Sequence, residues 1–148
     1  MSLFKKILVP IDGSDTADKA MRMALDMARE SLATVRFLHV IDDERYFSSY
    51  ELSGDLRTYA FDNAKKLLQN AMDAATALGV NADTHLINQP GQRLGENVAD
   101  EVENWGADLV VLGSHGRRGL GRLLLGSGAE QVMRLSPVPV LMVHGTQP

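Results

Sequence analysis

The sequence contains no cysteine among its 148 residues, so it can form neither disulfides nor thiolate metal sites. This composition suits a reducing cytoplasm. No apolar run is longer than a strand, so no segment is long enough to span a bilayer. The first ten residues, MSLFKKILVP, also lack the order of a signal peptide, because two lysines interrupt a short apolar stretch. We therefore expect a cytoplasmic protein with no membrane insertion.

A basic excess is also missing, because the formal net charge is −4. Domains that bind nucleic acids generically are normally basic, so we expect no nucleic-acid partner. The four histidines are scattered singly, without the helical spacing of metal ligands, and we predict no metal site on the protein itself. What is present, 45% hydrophobic and 23% charged residues, is typical of a globular protein. A chain of this length is expected to form a single domain, residues 1–148.

Short apolar runs alternate with helical periodicity along the whole chain. The strands predicted from these runs are 5–10, 33–41, 81–87, 108–113 and 138–143. The predicted helices are 14–31, 53–78, a third from Leu94 to Trp105, and a fourth from Ser127 to a stop at Pro137. The alternation predicts an α/β fold, an open parallel five-stranded sheet with four helices in three layers, Rossmann-like. A strand order of 3-2-1-4-5 makes the first and fourth strands neighbours.

Two turns that follow predicted strand ends carry the candidate binding residues. One is VPIDGSD, residues 9–15, and the other is the glycine- and arginine-rich stretch 113–128. Ligands of open α/β sheets bind beyond the carboxyl ends of strands, where the strand order reverses. Glycine lets an anion approach backbone N–H groups, and the start of a helix at Gly126 and Ser127 favours phosphate.

Local structure offers an alternative explanation for several of these residues. Ser127-x-x-Glu130 has the spacing of a capping box. Asp12 can begin a turn or, with Ser14 and Asp15, cap the first helix. The acidic residues Asp100, Glu101 and Glu103 are predicted to lie on a solvated helix face. The polar and aromatic segment 42–54 is either a lid or a surface loop.

Familiar nucleotide-hydrolysis motifs do not fit the glycine stretch. GRLLLGSG has the spacing of a P-loop start, but Ser127 and Gly128 stand where lysine and serine or threonine are required. Ser127 has no evident histidine and aspartate partners that would make it a nucleophile. We therefore predict no catalytic residue.

The spacing of the glycines resembles the signature of a known protein family. Gly113-x-x-Gly116, nine residues and then Gly126-Ser127 are similar to the G-2x-G-9x-G-(S/T) signature of ATP-binding members of the universal stress protein family (UspA-like). The resemblance extends to KKILVPIDGSD, ADLVVLGSHG and SPVPVLMV, and it covers essentially the whole chain. It implies a fold like that of adenine nucleotide α-hydrolases and a nucleotide-dependent regulator in the stress response. The cofactor it implies is ATP. Because Mg²⁺ keeps several waters and needs few protein ligands when phosphates are present, we expect Mg²⁺ to be bound mainly through the phosphates.

The same resemblance assigns a role to each candidate residue. Pro10 and Asp12 line the adenosine end, with Asp12 accepting hydrogen bonds from ribose or adenine, and Val40 touches the adenine. Leu112 and Gly113 pack beneath the ribose. The residues that hold the triphosphate, through backbone N–H groups and the Ser127 hydroxyl, are Gly116, Arg117, Gly126, Ser127 and Gly128. Two alternatives to a regulator stay open, a slow ATPase or phosphotransferase and a scaffold of the same fold that binds no nucleotide.

The last strand predicts the oligomeric state. Val138 to Val143 is too apolar for a solvent-facing sheet edge, although Pro139 places it at an edge. Antiparallel pairing with the same strand of a second chain covers this edge, and the resemblance agrees with a homodimer of this kind. Alternatively, the terminal HGTQP or a helix shields the edge within a monomer.

Overall fold

The computed structural model describes residues 3–41, 54–89, 91–114 and 125–145, with the side chains of α2 described from residue 57 onward. Within these ranges, strands and helices alternate in the order β1 (Lys6–Pro10), α1 (Asp15–Ser31), β2 (Thr34–Val40), α2 (Gly54–Ala77), β3 (Ala82–Ile87), α3 (Leu94–Trp105), β4 (Leu109–Gly113), α4 (Ser127–Leu135) and β5 (Val140–Val143). The five strands form one parallel sheet in the order β3-β2-β1-β4-β5. The predicted fold class and strand order are confirmed.

The sheet has helices on both faces because its central strands are apolar on consecutive residues. Ile7 and Val9 of β1 pack into a core with α1 and α2, while Leu8, between them, packs into a core with α3 and α4. All three are fully buried. Successive side chains of a strand point to opposite faces, so a strand without polar residues requires a cover on each side. The result is a three-layer arrangement with the sheet in the middle.

The first helix begins at a predicted cap, and the first and third helices both end in the left-handed conformation. Ser14 is the N-cap of α1, and its Oγ accepts a hydrogen bond from the backbone N–H of Ala17 at 3.2 Å. Gly106 ends α3 in the left-handed conformation with φ of 83°, a geometry that glycine adopts without strain. Leu32 ends α1 in the same conformation with φ of 59°.

The last strand lies at the edge of the sheet, as predicted, but it is shorter than expected and begins at Val140. A local turn precedes it, in which Ser136 Oγ donates to the carbonyl of Val138 at 2.8 Å. The side chains of Val140 and Met142 pack against the core formed with α3 and α4. Leu141 points to the other face and is 37% exposed.

A charged network joins β2, β3 and α3, and the sequence did not predict it. Arg36 donates from Nε and Nη2 to the carboxylate of Asp83 at 2.8 and 2.9 Å, and from Nη1 to Glu101 Oε2 at 2.7 Å. Its guanidinium lies over the ring of Trp105, 4.7 Å from the centroid. The hydrogen bond to Asp83 raises the pKa of Arg36 above its usual value and outweighs the opposing effect of burial.

The prediction that Glu101 belongs to a solvated face is wrong, because only 5% of the residue is exposed. Glu101 lies one helical turn from Asn97 and Val98, which are also buried, so this side of α3 faces the sheet. The carboxylate tolerates burial because Arg36 binds it, and His85 Nε2 lies 3.7 Å from its other oxygen.

We expect Arg36→Met to lower the free energy of unfolding by about 3–5 kcal/mol, because it leaves the Glu101 carboxylate buried without its partner. The double variant Arg36→Met/Glu101→Leu should recover most of this loss. Urea denaturation of the single and double variants measures both effects. Arg134→Met is the control, because Arg134 forms an exposed ion pair with Glu130 at 3.7 Å, which contributes less than about 1 kcal/mol. Equal losses for the two arginine variants would contradict the prediction.

Candidate functional site

The strand order reverses between β1 and β4, and this reversal positions the candidate site. The two strands pair in register, with Ile7 beside Leu109 and Leu8 beside Val110. The chain leaves β1 into α1 on one face of the sheet and leaves β4 into α4 on the other face. The turn after β1 and the start of α4 therefore border the same edge, where ligands of open α/β sheets bind.

Asp12 stabilises the turn between β1 and α1. Its Oδ1 accepts a hydrogen bond from the backbone N–H of Ser14 at 2.9 Å, and Gly13 between them has φ of 85°. The alternative explanation for Asp12, a residue that begins a turn, is therefore correct for one of its two carboxylate oxygens. A carboxylate has about four lone-pair sites, so this half-buried side chain keeps acceptor capacity for a ligand.

His39 supports the same turn, and sequence reasoning did not single it out for this role. Its Nδ1 lies 2.7 Å from the carbonyl oxygen of Ile11, and the backbone N–H of Ile11 donates to the carbonyl of Leu38 at 2.8 Å. The two contacts tie the end of β1 to β2, so the position of Asp12 is set by the neighbouring strand as well as by its own turn.

The start of α4 meets the end of β4 directly. The backbone N–H of Gly126 donates to the carbonyl of Ser114 at 2.9 Å, and the carbonyl of Gly126 accepts from the N–H of Glu130 at 3.0 Å. Gly126 is therefore the N-cap, and Ser127 is the first helical residue. The prediction of a capping box with Ser127 as the cap is wrong, because the glycine takes the cap position and leaves the serine exposed inside the first turn.

This geometry leaves backbone donors at the edge of the sheet. The N–H groups of Ser127, Gly128 and Ala129 precede the first intrahelical hydrogen bond and have no acceptor within α4. The positive end of the helix dipole coincides with them. The start of α4 can therefore bind an anionic group.

At two glycines of the predicted site, a side chain would collide with neighbouring protein atoms. A Cβ on Gly113 would lie 2.6 Å from Thr16 Oγ1 and 2.7 Å from the Thr16 carbonyl carbon. A Cβ on Gly128 would lie 2.8 Å from Leu94 Cδ2. Gly113 thus lets the first turn of α1 approach β4, while Gly128 leaves room for the end of the Leu94 side chain of α3.

The remaining predicted residues lie at the same edge or outside the described ranges. Pro10 and Leu112 are buried at the ends of β1 and β4, and Val40 is half-buried at the end of β2. Gly116 and Arg117 lie outside the described residues, as does most of the predicted lid or surface loop, 42–53. The structure therefore places the turn after β1 and the described ends of the glycine stretch, Gly113 to Ser114 and Leu125 to Gly128, at the same edge of the sheet.

The described part of the chain contains neither a cluster of metal-ligating side chains nor a helix able to cross a membrane. Among these residues, no group of three or more histidine, aspartate or glutamate side chains is arranged to hold a metal ion. None of the described helices combines the length and the apolar character that a transmembrane span requires.

Comparison with known proteins places the chain among close relatives. The model of the universal stress protein family matches residues 3–144. Universal stress protein YxiE of Bacillus subtilis is 34% identical over 152 residues, covering 96% of this chain and all of the relative. The solved structure of hypothetical protein MJ0577 superimposes with a TM-score of 0.85 at 29% identity and covers 99% of this chain and 100% of its own. A universal stress protein in complex with cAMP gives a TM-score of 0.69 at 26% identity, covering 97% and 98% of the two chains.

We expect Gly113→Ala to lower the free energy of unfolding by about 1–3 kcal/mol, because the new methyl group requires α1 to move away from β4. Adding Thr16→Ala should not restore stability, since the carbonyl carbon at 2.7 Å belongs to the backbone. Urea denaturation of the single and double variants checks this. Full recovery in the double variant would show that only the Thr16 side chain restricts the position.

Proposed function

Because the chain belongs to the universal stress protein family, we propose that it binds ATP and acts as a nucleotide-dependent regulator in the cellular stress response. The observation that carries the proposal is the junction of β4 with α4, where Gly126 donates to the carbonyl of Ser114 at 2.9 Å next to the β1–α1 turn. The relative that binds cAMP supports an adenine nucleotide as the ligand.

In this proposal the start of α4 binds the phosphates. The N–H groups of Ser127 and Gly128 and the Ser127 hydroxyl act as donors, and the helix dipole favours the negative charge. Gly126 contributes by its lack of a side chain next to them. Gly116 and Arg117 join the phosphate site on the strength of the glycine signature alone.

The adenosine end lies toward β1 and β2. Asp12 accepts hydrogen bonds from ribose or adenine through its remaining lone pairs, and Val40 contacts the adenine. Pro10 lines the same end, while Leu112 and Gly113 pack beneath the ribose. All of these residues belong to strand ends or to the turn that directly follows one, so the sheet holds them in place.

Magnesium accompanies the nucleotide and is bound mainly through the phosphates. The VPIDGSD turn offers only the carboxylates of Asp12 and Asp15, and Asp12 already accepts the N–H of Ser14. Magnesium usually keeps several waters and needs few protein ligands when phosphates are present, so these residues fit an ion that arrives with ATP. We assign no catalytic residue to this site. The absence of cysteine supports a cytoplasmic location for the proposed regulator.

We expect Gly126→Val to abolish ATP binding, because a branched side chain at the N-cap obstructs the approach of phosphate to the first turn of α4. Ser127→Ala should weaken binding by about 1.5–3 kcal/mol, since it removes one hydrogen bond to a charged group and leaves the backbone donors. Calorimetric titration with ATP in the presence of Mg²⁺ measures both.

The control is Met133→Val, on an exposed position of the same helix away from its first turn, which should leave the affinity unchanged. Circular dichroism verifies that each variant is folded. Unchanged ATP affinity in a folded Gly126→Val variant would remove the start of α4 from the binding site.

We further propose a homodimer in which β5 pairs antiparallel with the same strand of a second chain. The strand lies at the sheet edge, and all four of its residues are apolar. Monomeric proteins usually protect such an edge with charge, proline or a covering segment. Pairing across a two-fold axis covers the edge on both chains at once.

We expect Leu141→Lys to convert the dimer into a monomer, because Leu141 is the exposed residue of β5, and the lysines of two paired strands would lie close to each other. Val140 and Met142 are unsuitable for this test, since both pack into the core and a charge there would disturb the fold. Light scattering measures the mass of the purified protein. Leu3→Lys, at a residue that is 82% exposed, is the matched control and should leave the dimer intact. A monomeric unmodified protein would contradict the dimer.

A further inference from the structure

The start of α4 lies directly against the start of α3, on the face of the sheet that both helices cover. Gly95, the second residue of α3, donates its backbone N–H to Gln131 Oε1 of α4 at 3.2 Å. A backbone N–H can only donate, so the atom that faces it is the amide oxygen of Gln131. Gln131 lies four residues after Ser127, on the same side of α4. The contact therefore holds α4 within one turn of its first residue.

Close packing of the two helices makes this contact rigid. A Cβ on Gly95 would lie 2.6 Å from the Cβ of Gln131, and 2.8 and 2.9 Å from its carbonyl carbon and oxygen. Two of these three atoms belong to the backbone, which cannot move aside as the end of a flexible side chain can. Gly95 is also buried. Glycine is required here because the two helix backbones approach each other more closely than a residue with a Cβ allows.

The hydrogen bond satisfies a backbone donor that has no partner within its own helix. Gly95 precedes the first intrahelical hydrogen bond of α3, which the N–H of Asn97 makes to the carbonyl of Arg93 at 3.0 Å. Both helices begin at the carboxyl ends of strands on the same face, so the positive ends of their dipoles lie side by side and repel each other. The amide oxygen of Gln131 joins the two helix starts against this repulsion.

The same turn of α4 carries the backbone donors of the proposed phosphate site, at Ser127 and Gly128. On its other side, the N–H of Gly126 donates to the carbonyl of Ser114 at 2.9 Å. The start of α4 is therefore held from two directions, by the end of β4 and by the start of α3. Hydrogen bonds from N–H groups to oxygen need donor–acceptor distances of about 2.9 Å, so the position of this turn determines how well it binds a phosphate group.

We propose that Gln131 is a positioning residue of the phosphate site: by accepting the N–H of Gly95, it holds the first turn of α4 where its backbone donors reach a phosphate group. This inference rests on the proposed nucleotide site and adds α3 to the elements that support it. Gln131 acts through the backbone of α4. Its loss weakens the binding of the phosphates and leaves that of the nucleoside unchanged, because the adenosine end lies toward β1 and β2.

Gln131→Met tests this role, since methionine has a similar length and lacks the amide oxygen. The affinity for ATP, measured by calorimetry with Mg²⁺ present, should fall about two- to tenfold, because one hydrogen bond can bias the position of α4 by no more than its own free energy. The affinity for adenosine should stay unchanged, since adenosine has no phosphate. Met72→Ala is the control, because Met72 packs against the core on the other face of the sheet. It should lower the stability and leave both affinities unchanged.

Gly95→Ala tests the same contact from the side of α3. Alanine is the better helix former, so any loss comes from the contact with Gln131. The added methyl group separates the two helix starts and should lower the ATP affinity at least about fivefold, again without an effect on adenosine. Circular dichroism verifies that each variant is folded.

Three results would overturn the positioning role and leave the nucleotide site intact. The first is an unchanged ATP affinity in either folded variant, Gln131→Met or Gly95→Ala. The second is an equal loss of affinity for ATP and adenosine, because the effect would then extend beyond the phosphates. The third is a similar loss of ATP affinity in Met72→Ala, because affinity would then follow overall stability. If the unmodified protein does not bind ATP, the proposed function itself fails.

Discussion

The pairing of β1 with β4 is the contact on which the other features depend. Both strands are covered by helices on each face, so their backbone groups have no access to water and pair with each other. From this pair the chain extends outward through β2 and β3 on one side and through β5 on the other. Because α1 and α4 leave on opposite faces, their first turns border a crevice at the ends of the two central strands.

A glycine at this crevice can be needed either for packing against protein atoms or for the approach of a ligand, and the sequence motif alone does not distinguish the two. Gly113 is required by neighbouring backbone atoms, since a methyl group there would lie 2.7 Å from the carbonyl carbon of Thr16, whereas at Gly128 it would meet only the end of the Leu94 side chain. Gly126, in contrast, occupies the N-cap of α4 with extended backbone angles that other residues can adopt. Close packing therefore explains Gly113, whereas the proposed phosphate site is what gives Gly126 a reason to be glycine.

The buried polar residues of α3 differ in whether they have a hydrogen-bond partner. Glu101 is fully engaged by Arg36, and together with Trp105 this network joins a helix to two strands. Asn97, one turn away and equally buried, has no such partner among the described residues. A satisfied buried charge stabilises the contact between elements, whereas an unsatisfied buried amide costs stability unless a ligand completes its hydrogen bonds. One face of α3 therefore carries both a paired buried carboxylate and, among the described residues, a buried amide without a partner.

The sequence by itself determined the strands and helices and their alternation, and it carries a glycine spacing that resembles a family signature. The elements depend on local backbone preferences and on apolar periodicity, which neighbouring residues encode, whereas the strand order depends on pairing between distant segments. Only the tertiary structure decided that Glu101 is buried, that Ser127 follows the N-cap instead of forming it, and that Gly113 is a packing residue. Each of these outcomes depends on atoms distant in sequence, such as Arg36 beneath Glu101 or Thr16 against Gly113. A local pattern shows which residues can be polar or small, but the environment that gives them a role is assembled by the fold.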